Sequence, residues 1–125
     1  MEENELSNII IGAALKVHTI LGPGLLESVY EAALTHELRK GGYHVSCQRG
    51  LPVIYDGEEI PLGFRLDMLV NEKVIIEIKS VESLADIHYK QLLTYLRLSG
   101  RKLGLLINFN SPSLKGSFRR VVNGL

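Results

Sequence analysis

Asp67, Glu77 and Lys79 stand in two apolar segments where charged side chains are out of place. In Phe64-Arg65-Leu66-Asp67-Met68-Leu69-Val70, strand alternation puts Asp67 on one face with Arg65 and Leu69. In Val74-Ile75-Ile76-Glu77-Ile78-Lys79, Glu77 and Lys79 share a face with Ile75. A three-residue turn, Asn71-Glu72-Lys73, sets Val70 opposite Val74, and counting outward sets Asp67 opposite Glu77. Directly opposed residues have Cβ atoms about 4.5–5.5 Å apart, a distance at which two carboxylates repel. A cation between them removes the conflict. Mg²⁺ and Mn²⁺ prefer oxygen ligands, and Mg²⁺ keeps several waters beside one or two carboxylates. Lys79, two residues beyond Glu77, can hold a water or a phosphate oxygen beside such an ion. These parts suit phosphodiester hydrolysis, in which a metal polarises the phosphate and lowers the pKa of a bound water.

A solvated edge hairpin would also carry Asp, Glu and Lys on its outer face. The flanks argue otherwise. Ile75-Ile76-Glu77-Ile78 is apolar on both faces, the pattern of a central strand. A Glu buried there needs a partner.

The elements that must position these residues follow from periodicity. A first helix runs to about Leu21, capped by Asn4 or Ser7, with Leu6, Ile9, Ile10, Ala13, Ala14 and Val17 on one stripe. Gly22-Pro23-Gly24 breaks it. A second helix spans about Leu25 to Lys40, with Leu26, Val29, Tyr30, Ala33, Leu34 and Leu38 facing the core, and Gly41-Gly42 ends it. Tyr43 to Tyr55 reads as extended, bent near Gly50-Leu51-Pro52, and Asp56-Gly57 marks a hairpin. Strands follow over about Ile60–Val70 and Lys73–Ser80. Ala85 to Leu98 is helical, capped by Ser83 or Asp86, with Ile87, Leu92, Tyr95 and Leu96 apolar. Leu103 to Phe109 is a buried strand. Ser117 to Val122 is a short strand or helix. The order is α-α-β-β-β-α-β with an unassigned tail.

Composition bounds the partners. The 125 residues form one domain by size, 46% hydrophobic and 22% charged, which excludes disorder. Fourteen basic and fourteen acidic residues cancel, so attraction to nucleic acid must come from local patches. No apolar run is long enough to span a bilayer, and the N-terminus is acidic where a secretory signal is basic. Cys47 is the only cysteine, which leaves no intrachain disulfide and no cysteine-rich metal site. A cytoplasmic location is expected.

Asp67, nine residues, then Glu77-Ile78-Lys79 resembles the D…(D/E)xK signature of the PD-(D/E)XK nuclease superfamily. Gln91 to Tyr95 resembles the QxxxY element of RecB-like nucleases, and its i, i+4 spacing puts both side chains on one helix face. Gly24-Leu25-Leu26-Glu27-Ser28-Val29-Tyr30 is similar to the motif of the bacterial GxxExxY family, as is the preceding Val17 to Pro23. Leu66 stands before Asp67 where many members have Pro. The resemblance implies an α/β, restriction-endonuclease-like core, a mixed central sheet flanked by helices. It implies that Asp67 and Glu77 ligate Mg²⁺ or Mn²⁺, with Glu27 as an outer or additional acidic ligand. Lys79 would position or activate the attacking water. Gln91 would contact the substrate phosphate or the metal-bound water, with Tyr95 and Tyr30 in support.

Other residues have plainer readings. His18 suits a helix C-terminus, Cys47 a small strand position, and His88 is a weak candidate for substrate contact. His36 and His44 have no visible partners. Arg97, Arg101 and Lys102, and Lys115, Arg119 and Arg120, form phosphate-contacting patches or a solvated surface. No recognition helix, zinc finger or stacking platform is present, so phosphate and shape contacts, a homodimer or a targeting partner would supply the rest. The expected function is a metal-dependent nuclease acting on DNA. The alternative is a non-catalytic nucleic-acid-binding or protein-interaction module that retains the fold.

Overall fold

The computed structural model describes residues 1–125. The elements are α1 (Glu3–Leu21), α2 (Glu27–Lys40), β1 (Val45–Tyr55), β2 (Glu58–Val70), β3 (Val74–Lys79), α3 (Asp86–Ser99), β4 (Leu103–Asn108) and β5 (Phe118–Val122). The tail is therefore a strand, β5, paired antiparallel with β4. Spatial order in the sheet equals chain order, β1 to β5. Only β3 and β4 run parallel, because α3 carries the chain back between them. The result is the mixed sheet of an α/β fold.

Both faces of the sheet are covered, which explains why β4, and β3 apart from Glu77 and Lys79, read as apolar runs. On one side α1 and α2 lay Leu6, Ile10, Ala14, Val17, Tyr30, Leu34 and Leu38 onto Met68, Val70, Ile76 and Leu105. On the other, α3 lays Leu92 and Leu96 onto Leu69, Ile75 and Leu106. Gly104 permits this second contact: a Cβ there would meet Leu92 at 2.8–3.0 Å.

Several boundaries differ from expectation. Neither Asn4 nor Ser7 caps α1; the helix starts at Glu3, the Glu2 carbonyl accepts from the Leu6 N–H, and Ser7 is buried inside it. The acids Glu3 and Glu5 suit the positive end of the helix dipole. α2 starts at Glu27, so Leu26 (74% exposed) is its extended N-cap rather than a core residue, and Val29 faces solvent because Tyr30, Leu34, Thr35 and Leu38 set the buried stripe. In α3 the N-cap is Ala85, not Ser83 or Asp86: its N–H donates to His88 Nδ1 at 3.0 Å. Ile87, at the outer side of that first turn, is exposed.

β1 and β2 outrun the rest of the sheet. β2 pairs with β3 only over Met68–Val70, so the far part of the β1–β2 hairpin projects as an arm. Ile54, Tyr55, Ile60 and Leu62 are exposed on it.

Candidate active site

The hairpin of β2 and β3 forms the centre. Its turn has the expected register, Val70↔Val74, followed by Leu69↔Ile75 and Met68↔Ile76. Backbone pairing then stops, one residue before Asp67 and Glu77 would meet. Their side chains replace the missing ladder bonds reciprocally. The Asp67 N–H donates to Glu77 Oε2 at 2.9 Å, and the Ile78 N–H donates to Asp67 Oδ2 at 2.9 Å. Each carboxylate is thereby fixed by one oxygen. Glu77 Oε1 is free, and Asp67 Oδ1 receives only a 3.5 Å contact from Gln48 Nε2.

The alternation expected around Asp67 fails at Asp67 itself. Phe64 and Leu66 lie under α3, as does Leu69, whereas Met68 and Val70 lie under α1 and α2. Simple period two would group Leu66 with Met68. Opposite the break, Gln48 of β1 has φ 50°, a left-handed conformation uncommon outside glycine. The distortion turns Asp67 out of the sheet toward Gln48, so it does not share one flat face with Arg65 and Leu69.

Charge in this setting is costly. Glu77 is 5% exposed, and its pKa is pushed up to about 8, first by burial and then by repulsion from Asp67. The Asp67 N–H and Lys79 offset part of this. Burial raises Asp67 as well, opposed by the Ile78 N–H and Lys79, with Glu27 adding repulsion. Lys79 is half-buried at the end of β3 and stabilises both carboxylates through space. It takes part in none of the four ion pairs of the chain.

Glu27 arrives as the first residue of α2. Its Oε2 accepts from the Ser80 N–H at 2.9 Å, and Ser80 Oγ donates to the Leu25 carbonyl at 2.8 Å. Tyr30 holds this loop. Its hydroxyl donates to the Gly22 carbonyl at 2.5 Å and accepts from the Leu25 N–H at 3.1 Å. Its buried ring stacks on Phe109 with centroids 4.5 Å apart, and the Phe109 N–H donates to the Lys79 carbonyl. Gly24, at φ 99°, allows the turn. Glycine, Glu27 and Tyr30 thus act as a unit: turn, acid and clasp.

On the α3 side, Tyr95 stacks on Phe64 at 4.9 Å. Burial and Glu77 raise its pKa, and the adjacent Gln91 side chain offsets part of that rise. Gln91 is solvent-exposed. His88 is used in its helix cap rather than toward a ligand. His18 is buried, with Nε2 2.7 Å from the Ser111 carbonyl oxygen, and Cys47 Sγ lies 3.2 Å from Thr35 Oγ1. Of the basic clusters, Arg101 is bound to Glu72, Arg120 to Asn4, and Arg119 to backbone carbonyls.

Two members escaped the sequence reading. Glu31 Oε1 accepts from Gln48 Nε2 at 2.6 Å. Both line, with Glu27 and Asp67, an open cavity of about 360 Å³. Burial and then Asp67 raise the Glu31 pKa against the Gln48 bond. Glu31 carried a signal, its i+4 spacing from Glu27 on one helix face. Gln48 carried none. No three His, Cys, Asp or Glu side chains converge into a ready-made cation cage.

A mixed sheet whose central hairpin opens around an Asp and a Glu-x-Lys, roofed by a helix on each side, is the architecture of a restriction-endonuclease-like domain. Residues 4–121 match the family model of the PD-(D/E)XK nuclease superfamily, and the chain belongs to that superfamily. No curated protein and no solved structure matches the chain. No helix is long and apolar enough to cross a membrane.

Proposed function

We propose that the protein is a metal-dependent nuclease that hydrolyses phosphodiester bonds in DNA, and that residues 1–125 form a single nuclease domain. The observation that carries this reading is the reciprocal Asp67–Glu77 arrangement. Buried Glu77 and half-buried Asp67 lie together without a cationic ion-pair partner, each fixed by a backbone N–H and each with a second oxygen left over. Hard oxygen donors of this kind fit Mg²⁺ or Mn²⁺, with water and substrate completing the shell. A divalent cation bound there supplies Lewis acidity and a bound water of lowered pKa.

The chain's own residues do the rest. Asp67 and Glu77 present their free oxygens to the cation. Lys79 holds the attacking water or a non-bridging phosphate oxygen with its ammonium. The water loses a proton to solvent as its oxygen bonds to phosphorus and the P–O bond to the leaving sugar breaks, and the leaving oxygen takes up a proton from solvent. Glu27 and Glu31 add negative potential that favours the cation. Gln91, exposed beside Tyr95, hydrogen-bonds a phosphate oxygen or the water, and Tyr95 and Tyr30 position their neighbours. The Gly24-to-Tyr30 unit supports placement in the GxxExxY family, and the lone cysteine supports a cytoplasmic location.

Purified wild-type and Lys79→Ala protein, incubated with single- and double-stranded DNA and RNA in Mg²⁺, Mn²⁺ or EDTA, tests the reading. Cleavage by wild type alone, abolished by EDTA, is the expected result. Cleavage by Lys79→Ala at the wild-type rate overturns the mechanism. A folded wild-type protein that binds nucleic acid but cuts nothing leaves the non-catalytic module.

A further inference from the structure

We infer that the groove between α2 and β1 is a phosphate track, and that the substrate is therefore a polynucleotide strand extending past the reactive phosphodiester; this rests on the nuclease reading above. The first observation is continuity. The cavity at Asp67 is bounded by Glu27, Glu31 and Gln48. A larger one, about 670 Å³, continues from it along α2 past Glu31, Thr35, His36, Arg39 and Lys40, with Cys47 in its floor. Glu31 borders both, and Cys47 and Gln48 are neighbours on β1, so the two cavities adjoin along α2.

The second observation is the order of charge along it. Glu27, Glu31, Thr35 and Arg39 recur at i+4 on α2. The acids stand at the carboxylate end and the cations at the far end. Arg39 donates through one terminal nitrogen to the Val45 carbonyl at 2.7 Å and has no carboxylate partner. Arg49 and Arg101, by contrast, are both paired with Glu72. Lys40 has only an exposed contact to Glu37 at 3.3 Å. In a chain of zero net charge, cations left facing an open groove make a local positive potential.

The third is length. Eight residues separate Glu31 from Arg39, about 12 Å of helix. A single phosphodiester cannot span that distance, whereas successive phosphates of a strand can. Lacking Tyr, Phe or Trp, the groove offers bases only the His36 ring and the Arg39 guanidinium to stack on, so its main contacts are to the backbone.

The test is fluorescence anisotropy with fluorescein-labelled single-stranded DNA of 4, 8 and 16 nucleotides, in Ca²⁺, across a salt series. The double variant Arg39→Met/Lys40→Met is expected to bind the 16-mer roughly tenfold more weakly. Its log K against log[salt] should be shallower by about 1.4, two cations at about 0.7 each on a single strand. Ala32→Lys, on the exposed groove wall, should bind more tightly with a steeper slope, a gain that damage to the fold cannot mimic. If Arg39→Met unfolds through loss of its Val45 bond, Lys40→Met and Ala32→Lys carry the test. An equal loss in Lys102→Met/Lys115→Met, which removes two cations elsewhere, overturns the inference, as does an unchanged slope in the groove variants. Wild-type protein that binds no strand also overturns it. Hydrolysis of bis(4-nitrophenyl) phosphate by that same protein with Mn²⁺ would then leave the nuclease reading standing, and its absence would remove both.

Discussion

The two ends of the β2–β3 hairpin are built from the same strands and do opposite work. At the turn end, Val70, Leu69 and Met68 pair with Val74, Ile75 and Ile76, all buried. Every backbone group there has a backbone partner, and every side chain adds apolar burial. Beyond Met68 the carboxylates of Asp67 and Glu77 take over the hydrogen bonding. The first end stabilises the fold. The second stores an electrostatic conflict that a cation relieves. A nuclease-like site thus lies within one residue of the best-packed part of the sheet, and the packing keeps the conflict from being resolved by strand separation.

Substitutions at the two ends should therefore separate activity from stability. The largest effect expected is at the open end. Glu77→Gln should lower cleavage by about 10³-fold, within the range for loss of a group acting directly on the reacting centre. Its melting temperature at pH 8 without metal should not fall. Steady-state cleavage and thermal melts on one preparation check both. Next, Ile76→Ala at the paired end should cost about 3 kcal/mol of stability by urea denaturation, the usual range for a buried aliphatic truncation. The folded fraction should keep its cleavage rate.

The third prediction concerns pH. Glu77 has a pKa near 8 in the fold and near 4.5 unfolded. Between those values the folded state holds a proton that the unfolded state has lost, so stability falls as pH rises. In EDTA, the loss should approach about 1.4 kcal/mol per pH unit within the pH 5–8 window. Urea titrations of wild type should show the slope and those of Glu77→Gln should not; Mn²⁺ at pH 8 should restore the lost stability. The smallest effect is Tyr30→Phe. Removing the hydroxyl shared by Gly22 and Leu25 should cost about 1 kcal/mol. It should also weaken Mn²⁺ binding in a calorimetric titration, since Glu27 loses its fixed loop. Unchanged Mn²⁺ affinity would show that the clasp serves the fold alone.

Much of this was legible because strand geometry is local. A three-residue turn between two apolar runs fixes the register, and the register brings Asp67 to Glu77. The apolar run on both sides of Glu77 places β3 in the interior. Gln91 and Tyr95 stand out through the resemblance to the QxxxY element; helical spacing adds only that they share a face. What escaped depends on other segments. Nothing in the residue type Gln announces the φ of Gln48 that turns Asp67 aside. Its bond to Glu31 joins positions 17 apart. The caps of α1 and α3 are backbone carbonyls and a His ring rather than the Ser and Asp nearby. Leu26 is the extended N-cap outside α2, and Val29 and Ile87 satisfy helical periodicity yet face outward, because a stripe of apolar residues wider than the contact leaves its margins in solvent. Of the sequence-adjacent cation clusters, the most visible in the sequence, Arg101 and Arg120 are tied down within the fold.

β3 has a neighbour on each edge and a helix layer over each face. Its amides should consequently be among the slowest in the molecule to exchange with deuterium, opening only when the whole chain does, while those of the projecting β1–β2 arm exchange early. Glu77 is carried on that slowest segment. Fraying at the termini or in the arm leaves the Asp67–Glu77 contact intact, so on heating the site should persist until the sheet itself is lost. The amide signals of Ile76, Glu77 and Ile78 would then report the integrity of the site and of the fold with a single rate.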